Sequence, residues 1–199
     1  MQNGNLKLKR LSIQEFLARL GSAEPVPGGG GASALAAALG AALGVMVASI
    51  MERKLKNPGE RTALTASLRR LKILKTKFEQ IIERDARVYQ ALMGVYRRTR
   101  TWKNRKHARM VVDRGLKRSF AVPYELALGI RSAEGEIARL KTRAGGSIAN
   151  DLIVGAALLK GAWTGAYRTA DINVRYVNDM KLRAGLRKLL KKARRRRVK

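Results

Sequence analysis

The residues of this chain best suited to chemistry are two aspartates, a set of phenols and a run of glycines. Asp85, Tyr89, Met93 and Tyr96 stand at i, i+4, i+8 and i+11, which places a carboxylate and two phenols on one face of a helix. A carboxylate beside hydroxyls can carry protons to and from a bound molecule. The same spacing also fits an ordinary helix with one solvated aspartate and core tyrosines. Upstream, Pro25-Val26-Pro27-Gly28-Gly29-Gly30-Gly31-Ala32-Ser33 leads into an uncharged stretch from Ala34 to Ile50. Successive glycines let the backbone reach positive φ and approach a ligand with no Cβ in the way. With Ser33 as N-cap, the free N–H groups of the next helix would face this loop and could donate to a carboxylate or phosphate. A tight turn before a core helix accounts for the same glycines.

Several classes of chemistry are excluded. No Gly-Lys-Ser/Thr follows the glycines and no strand-like run precedes them, so neither standard nucleotide loop is present. There is no cysteine, which rules out a disulfide, a thiolate nucleophile and a cysteine metal site. His107 is the one histidine, too few for a zinc site, and it reads as solvated within Lys103 to Arg109.

The elements that must position these groups are helices. Ser12 and Glu15 form a capping box ahead of a short helix from Ile13 to about Leu20. The stretch from Ala32 to Ile50 reads as a buried core helix, and Gly40 and Gly44 would let a neighbouring backbone come close. It is also long enough to span a membrane, but alanine and glycine drive insertion poorly, so no span is expected. After a turn at Asn57-Pro58-Gly59, a helix is expected from about Glu60 to Tyr96, with leucines, Phe78, Ile81 and Ile82 recurring at three and four. A further helix from about Asn104 to Phe120 should kink or restart at Pro123 before running on to Lys141. Asn150 or Asp151 should cap the next, small-residue helix, Leu152 to Ala166. No segment alternates as a strand. The expected fold is all-α, a bundle of about five to six helices with long antiparallel members and a glycine-rich loop before a buried helix.

The chain has 199 residues and a formal charge of +29. From Met180 onward it carries many lysines and arginines and no acid, and Arg97 to Arg118 has Asp113 as its only acid. Runs of this kind attract nucleic acid, anionic lipid or a polycarboxylate, although abundant solvated surface charge is the simpler account. The segment 1–180 reads as the helical domain and 181–199 as a basic tail, suited to nucleic acid or another polyanion; from around Asn178 the chain reads as a last basic helix or a frayed end. Met1 to Arg10 is polar with no apolar core, so no signal peptide is read and a cytoplasmic location is expected.

Taken together the chain resembles the cyclodeaminase/cyclohydrolase family, which comprises the C-terminal domain of formiminotransferase-cyclodeaminase and stand-alone methenyltetrahydrofolate cyclohydrolase. The resemblance rests on Pro27-Gly28-Gly29-Gly30, Gly40-Ala41-Ala42-Leu43-Gly44 and Asp85-Ala86 with Tyr89. It continues through Val122-Pro123, Asp151-Leu152, Gly165-Ala166-Tyr167 and Ile172-Asn173. It implies an all-α homodimer or larger assembly acting on a tetrahydrofolate derivative, with no metal and no separate cofactor. Within that resemblance Asp85, Asp151 and Tyr89 take the catalytic positions, and Pro27, Gly28, Gly29, Gly30, Gly31 and Asn173 the substrate-binding ones. The reaction implied is water addition to the N5,N10-methenyl bridge, giving 10-formyltetrahydrofolate. Its close variant is ammonia loss from 5-formiminotetrahydrofolate; the 199 residues include no formiminotransferase domain, which tilts the expectation to the cyclohydrolase. A relative without catalysis that binds nucleic acid through its basic surface is the third reading. The chain departs from the family pattern at Gly31, Asn150 and Thr169, and Arg168 and Asp171 put charge into a normally apolar segment.

Overall fold

In the computed structural model, residues 7–54 and 57–198 are described, with side chains as far as Arg195. A 3₁₀ turn, Leu8–Arg10, precedes six helices: α1 Ile13–Leu20, α2 Gly29–Lys54, α3 Pro58–Thr99, α4 Arg105–Lys141, α5 Ser147–Arg175 and α6 Met180–Val198. The capping box of α1 is formed, Ser12 Oγ accepting from Glu15 N and Glu15 Oε2 accepting from Ser12 N. Asn57 Oδ1 caps α3 by accepting from Gly59 N and Glu60 N, with Pro58 in the first turn, where its missing N–H costs nothing.

Cross-helix contacts give the topology. Arg70 meets Glu136 and Arg84 meets Glu125, so residue numbers rise along α3 as they fall along α4. The same inverse order joins α2 to α3 through Glu52–Thr65 and Gly30–Asp85, and α2 to α5 through Gly40–Gly155 and Ser33–Gly165. Helices α2 to α5 therefore form an up-down-up-down antiparallel bundle. In it α2 and α4 each pack against both α3 and α5.

The apolar sequence of α2 is explained by this position. Ala34, Ala37, Ala41, Val47 and Ala48 are buried in the main core with Leu71, Phe78, Leu126, Ile130, Leu152 and Leu159. By length and composition α2 could cross a membrane; here half of its apolar window is buried inside the bundle. Gly40 is required by contact, since a Cβ there would lie 2.8 Å from Gly155 O and 2.9 Å from Leu159 Cγ. Gly44 instead faces side chains, those of Leu71 and Ile137.

Four expectations are corrected. Helix α4 runs unbroken through Pro123, because Phe120, Val122, Leu126 and Ala127 are all buried there and their packing outweighs one lost ladder bond, about 3 kcal/mol. Ser33 is not an N-cap: α2 begins at Gly29, Ala32 N already bonds Gly28 O, and Ser33 Oγ donates to Gly29 O at 2.7 Å within the helix. None of the four glycines at 28–31 has positive φ; among the described residues only Gly146 does, at 64°. Gly146 also marks the start of α5, ahead of both Asn150 and Asp151, which lie inside the helix and do not cap it. The basic segment, expected as a last helix or a frayed tail, is helical as α6 over the described residues. Leu186, Leu190 and Ala193 of α6 are buried, the two leucines in a second cluster with Leu92, Leu116, Phe120 and Val174.

The Gly40 contact gives a direct test. Gly40→Leu should cost about 1–3 kcal/mol or more through overpacking. Gly135→Ala, where an added Cβ meets nothing within 4 Å, should be neutral or stabilising by up to about 1 kcal/mol. Thermal unfolding reads both, at about 2–4 °C per kcal/mol for a chain of this size. An unchanged Tm for Gly40→Leu would show that α2 and α5 are not held together at this point.

Candidate functional site

Helix α2 stops short of its neighbours. Its first turn lies opposite Asp85 of α3, while α3 continues to Thr99, about 21 Å further at 1.5 Å per residue. The first half of α4 and the last turns of α5 also extend past the α2 N-terminus. The space they enclose is a cavity of about 880 Å³, closed on one side by Pro25, Val26 and Gly28. That volume lies at the upper end for sites that take drug-sized ligands.

The floor of the cavity is the α2 N-terminus with Asp85 against it. A Cβ on Gly30 would overlap the Asp85 carboxylate, and the Gly31 backbone N–H donates to that carboxylate. Gly30 therefore serves the close approach of a side chain from α3, at a position inside the helix rather than in a turn. The result is a carboxylate held between two opposing influences. Burial raises its pKa from 3.8 to about 6, and the Gly31 hydrogen bond opposes the rise without cancelling it.

One wall continues up α3 with Val88, Tyr89, Leu92, Met93 and Tyr96. The face read from the sequence, Asp85 to Tyr96, is the face that lines the cavity. Burial, then the nearby Tyr176 and Asp113, push the Tyr96 phenol up, so it stays protonated. The opposite wall is α5, where Arg168, Thr169, Ile172, Asn173 and Tyr176 share one face at helical spacing. Asn173 Nδ2 donates to Thr169 O at 2.9 Å, and its Oδ1 has no partner among the described residues. Arg168 is the only cation among the lining residues and makes no ion pair or hydrogen bond with the described residues.

Of the residues singled out from the sequence, the structure brings Gly28, Gly29, Gly30, Asp85, Tyr89 and Asn173 together around this space. Pro27 and Gly31 stand directly behind it: a Cβ on Gly31 would lie 3.4 Å from Pro27 Cβ. Asp151 is not brought in. It sits 17 residues before Arg168 on the same straight helix, about 25 Å away. Sequence reasoning missed Tyr176 and Ser119 and noted Arg168 only as a departure. Its spacing from Ile172 and Asn173 was the available signal.

Comparison with known proteins shows what this arrangement belongs to. The sequence profile described as Formiminotransferase-cyclodeaminase matches residues 12–192. The chain belongs to the formiminotransferase-cyclodeaminase family. Among relatives, it is 27% identical over 169 residues to formimidoyltransferase-cyclodeaminase of Gallus gallus, covering 84% of this chain and 31% of that protein. It is 34% identical over 113 residues to methenyltetrahydrofolate cyclohydrolase of Methylorubrum extorquens, covering 56% of this chain and 54% of that protein. The chain thus spans about a third of the vertebrate relative and about half of the bacterial one. The solved structure of formiminotetrahydrofolate cyclodeaminase from Thermotoga maritima superposes with a TM-score of 0.81 at 20% identity, over 94% of this chain and 90% of that one. This family fold matches the all-α bundle expected from the sequence. The match extends through most of α6, which agrees with the packing of that helix into the second cluster.

The Asp85 environment predicts a pH effect on stability. Its folded pKa lies above the ordinary value, so the stabilisation it provides is full below about 3.8 and is lost as pH rises through about 6. Asp85→Asn removes this dependence. Denaturant unfolding at about pH 4 and about pH 7 should show wild type losing stability relative to Asp85→Asn as the pH rises. Parallel pH curves for the two proteins would mean that Asp85 is not desolvated.

Proposed function

We propose that this chain is a folate one-carbon enzyme, a methenyltetrahydrofolate cyclohydrolase. The observation that carries the proposal is Asp85: one carboxylate, held against the glycine start of α2 with its pKa near 6, at the base of a cavity large enough for a pterin ring and its aminobenzoyl arm. The cavity wall is mostly apolar, with Tyr89 and Tyr96 available to stack on flat rings.

In this reading a water attacks the methenyl carbon of the cationic bridge and Asp85 takes its proton. At pH 7 a group with a pKa of about 6 is about nine-tenths ionised, so the base form dominates. The tetrahedral adduct then opens: the Asp85 proton passes to N5 as the bond from the carbon to N5 breaks, and the adduct hydroxyl releases its proton to solvent as its oxygen becomes the formyl oxygen on N10. In the same reading Arg168 holds a carboxylate of the substrate and Asn173 Oδ1 accepts from a ring N–H or amino group, roles supported by their position in the cavity lining.

Cyclodeamination of 5-formiminotetrahydrofolate is the second reading, favoured by the fold likeness to a protein described as that enzyme. There N10 attacks the formimino carbon, its proton passes to the imino nitrogen, and the acid form of Asp85 supplies the second proton with which that nitrogen leaves as ammonia. The same intermediate pKa serves both directions of proton transfer. A homodimer or larger assembly, implied by the resemblance, belongs to this proposal. The exposed apolar side chains Leu39, Met46, Ile153 and Val154 on α2 and α5 are the surface it would use.

Purified protein mixed with methenyltetrahydrofolate should remove its absorbance faster than buffer, and with 5-formiminotetrahydrofolate should generate that absorbance if the second reading holds. Asp85→Asn should lower turnover about 10²-fold or more and abolish a kcat/KM inflection near pH 6. Gly30→Ala should act similarly by displacing Asp85, with helix content retained. Arg168→Ala should raise KM with little change in kcat. Turnover of neither substrate by wild type would sink the proposal.

A further inference from the structure

The basic surface of α6 plays no part in the cavity, and its geometry points to a different ligand. From Lys181 to Arg195 the helix carries eight lysines and arginines and no acid. None of them makes an ion pair or a hydrogen bond with the described residues. The buried positions, Leu186, Leu190 and Ala193, fall on one stripe, so by helical periodicity Lys188, Lys191, Lys192 and Arg195 face away from it, and all four are exposed.

This ridge is rigidly mounted. Asp113, the one acid in the basic block of residues 97–118, is buried in α4 and accepts from Asn178 N and Asp179 N at 2.8 Å each, and from Asn178 Nδ2 at 3.1 Å. Asp179 Oδ1 in turn caps α6 by accepting from Leu182 N at 2.7 Å. On α4, Lys106, Arg109 and Lys117 lie on the Asp113 side by periodicity and are exposed, so the positive surface continues from α6 onto α4.

Two polyanionic surfaces could be met by such charge, a nucleic acid or an anionic membrane, and packing separates them. A helix that lies in a membrane interface needs a free apolar face to bury among the lipids. In α6 the stripe that would serve, Leu186 and Leu190, is already buried in the second cluster, leaving Leu189 and Met180 as isolated exposed apolar side chains. What remains is a straight line of cations with its conformational entropy largely spent. We propose that α6 and the adjoining face of α4 form a docking ridge for the phosphate backbone of duplex nucleic acid, independent of the folate site.

The ridge from Lys181 to Arg195 is about 21 Å long at 1.5 Å per residue. At 3.4 Å of axis per phosphate along one strand, that length runs beside about six phosphates. Nothing on the exposed face is arranged to read base edges, so binding is insensitive to sequence. Counterion release for six contacts gives a log–log salt slope near −5.

The test uses the full chain with labelled DNA and RNA duplexes of unrelated sequence, followed by fluorescence anisotropy between about 50 and 200 mM salt. The variant is K188Q/K191Q/K192Q/R195Q, which leaves every buried residue of α6 in place. Wild type is expected to bind all duplexes alike with a slope near −5. The variant should lose about 10²-fold or more in affinity at the lowest salt, and its slope should shrink by about 0.9 per cation removed. Its melting temperature and its turnover of the folate substrates should match wild type, so failure of the folate reading leaves this result interpretable. Wild-type affinity and slope in the variant would overturn the proposal. So would equal or stronger binding to vesicles of equal parts phosphatidylcholine and phosphatidylserine, since that outcome assigns the ridge to a membrane.

Discussion

The constraint on which the rest of this structure depends is that the central helix of the bundle ends before its neighbours do. Helix α2 is rich in glycine and alanine, so α5 can close on it to backbone distance, as Gly40 and Gly155 show. Where α2 stops, the longer α3, α4 and α5 continue with nothing between them, and that gap is the cavity. The helix start at its floor offers free N–H groups, which need an acceptor. Asp85 supplies one from the next helix, and only the absence of a side chain at Gly30 lets it reach.

The same arrangement sets the electrostatics. A carboxylate accepting a backbone N–H at a helix N-terminus would ordinarily titrate low. Here burial under apolar walls wins, and the group is poised between acid and base. The other placed acids do structural work. Glu125 ties Lys77 and Arg84, Glu136 ties Arg70 and Arg139, and Asp113 fastens the start of α6. With Glu125, Glu136 and Asp113 used to hold helices together, a chain of charge +29 has many uncompensated cations on its outside, most densely along α6. The positive ridge is therefore a consequence of where the few acids are used as much as of how many bases there are.

The fold survives at 20% identity to the Thermotoga maritima structure because its determinants are size and polarity rather than identity. Small residues are needed wherever α2 meets α5, apolar residues at every third or fourth position of α3 and α4, and a short element before α2. Many sequences satisfy those terms.

What the sequence determined by itself was the local chemistry: an all-α chain of about five to six helices from periodicity, the uncharged core helix, and the face from Asp85 to Tyr96, because i, i+4 geometry is fixed by the helix alone. Much of the cavity was legible in that way, since one wall lies on a single helix. What only the tertiary structure decided were the relations between helices. The glycine run reads as a positive-φ loop, yet it is a helix start relieved of side chains for a partner that is 55 residues away in sequence. Pro123 reads as a break, yet packing on both sides carries α4 through it. Asp151 reads as a second acid, but its distance from Asp85 is set by the rise along α5. The basic segment from Lys181 reads equally as a last helix or a frayed end, and it is the packing of Leu186 and Leu190 and the hold of the distant Asp113 that make it a seated helix. In each case the deciding interaction joins residues far apart in the chain, and periodicity and propensity carry information only across the few residues of a turn.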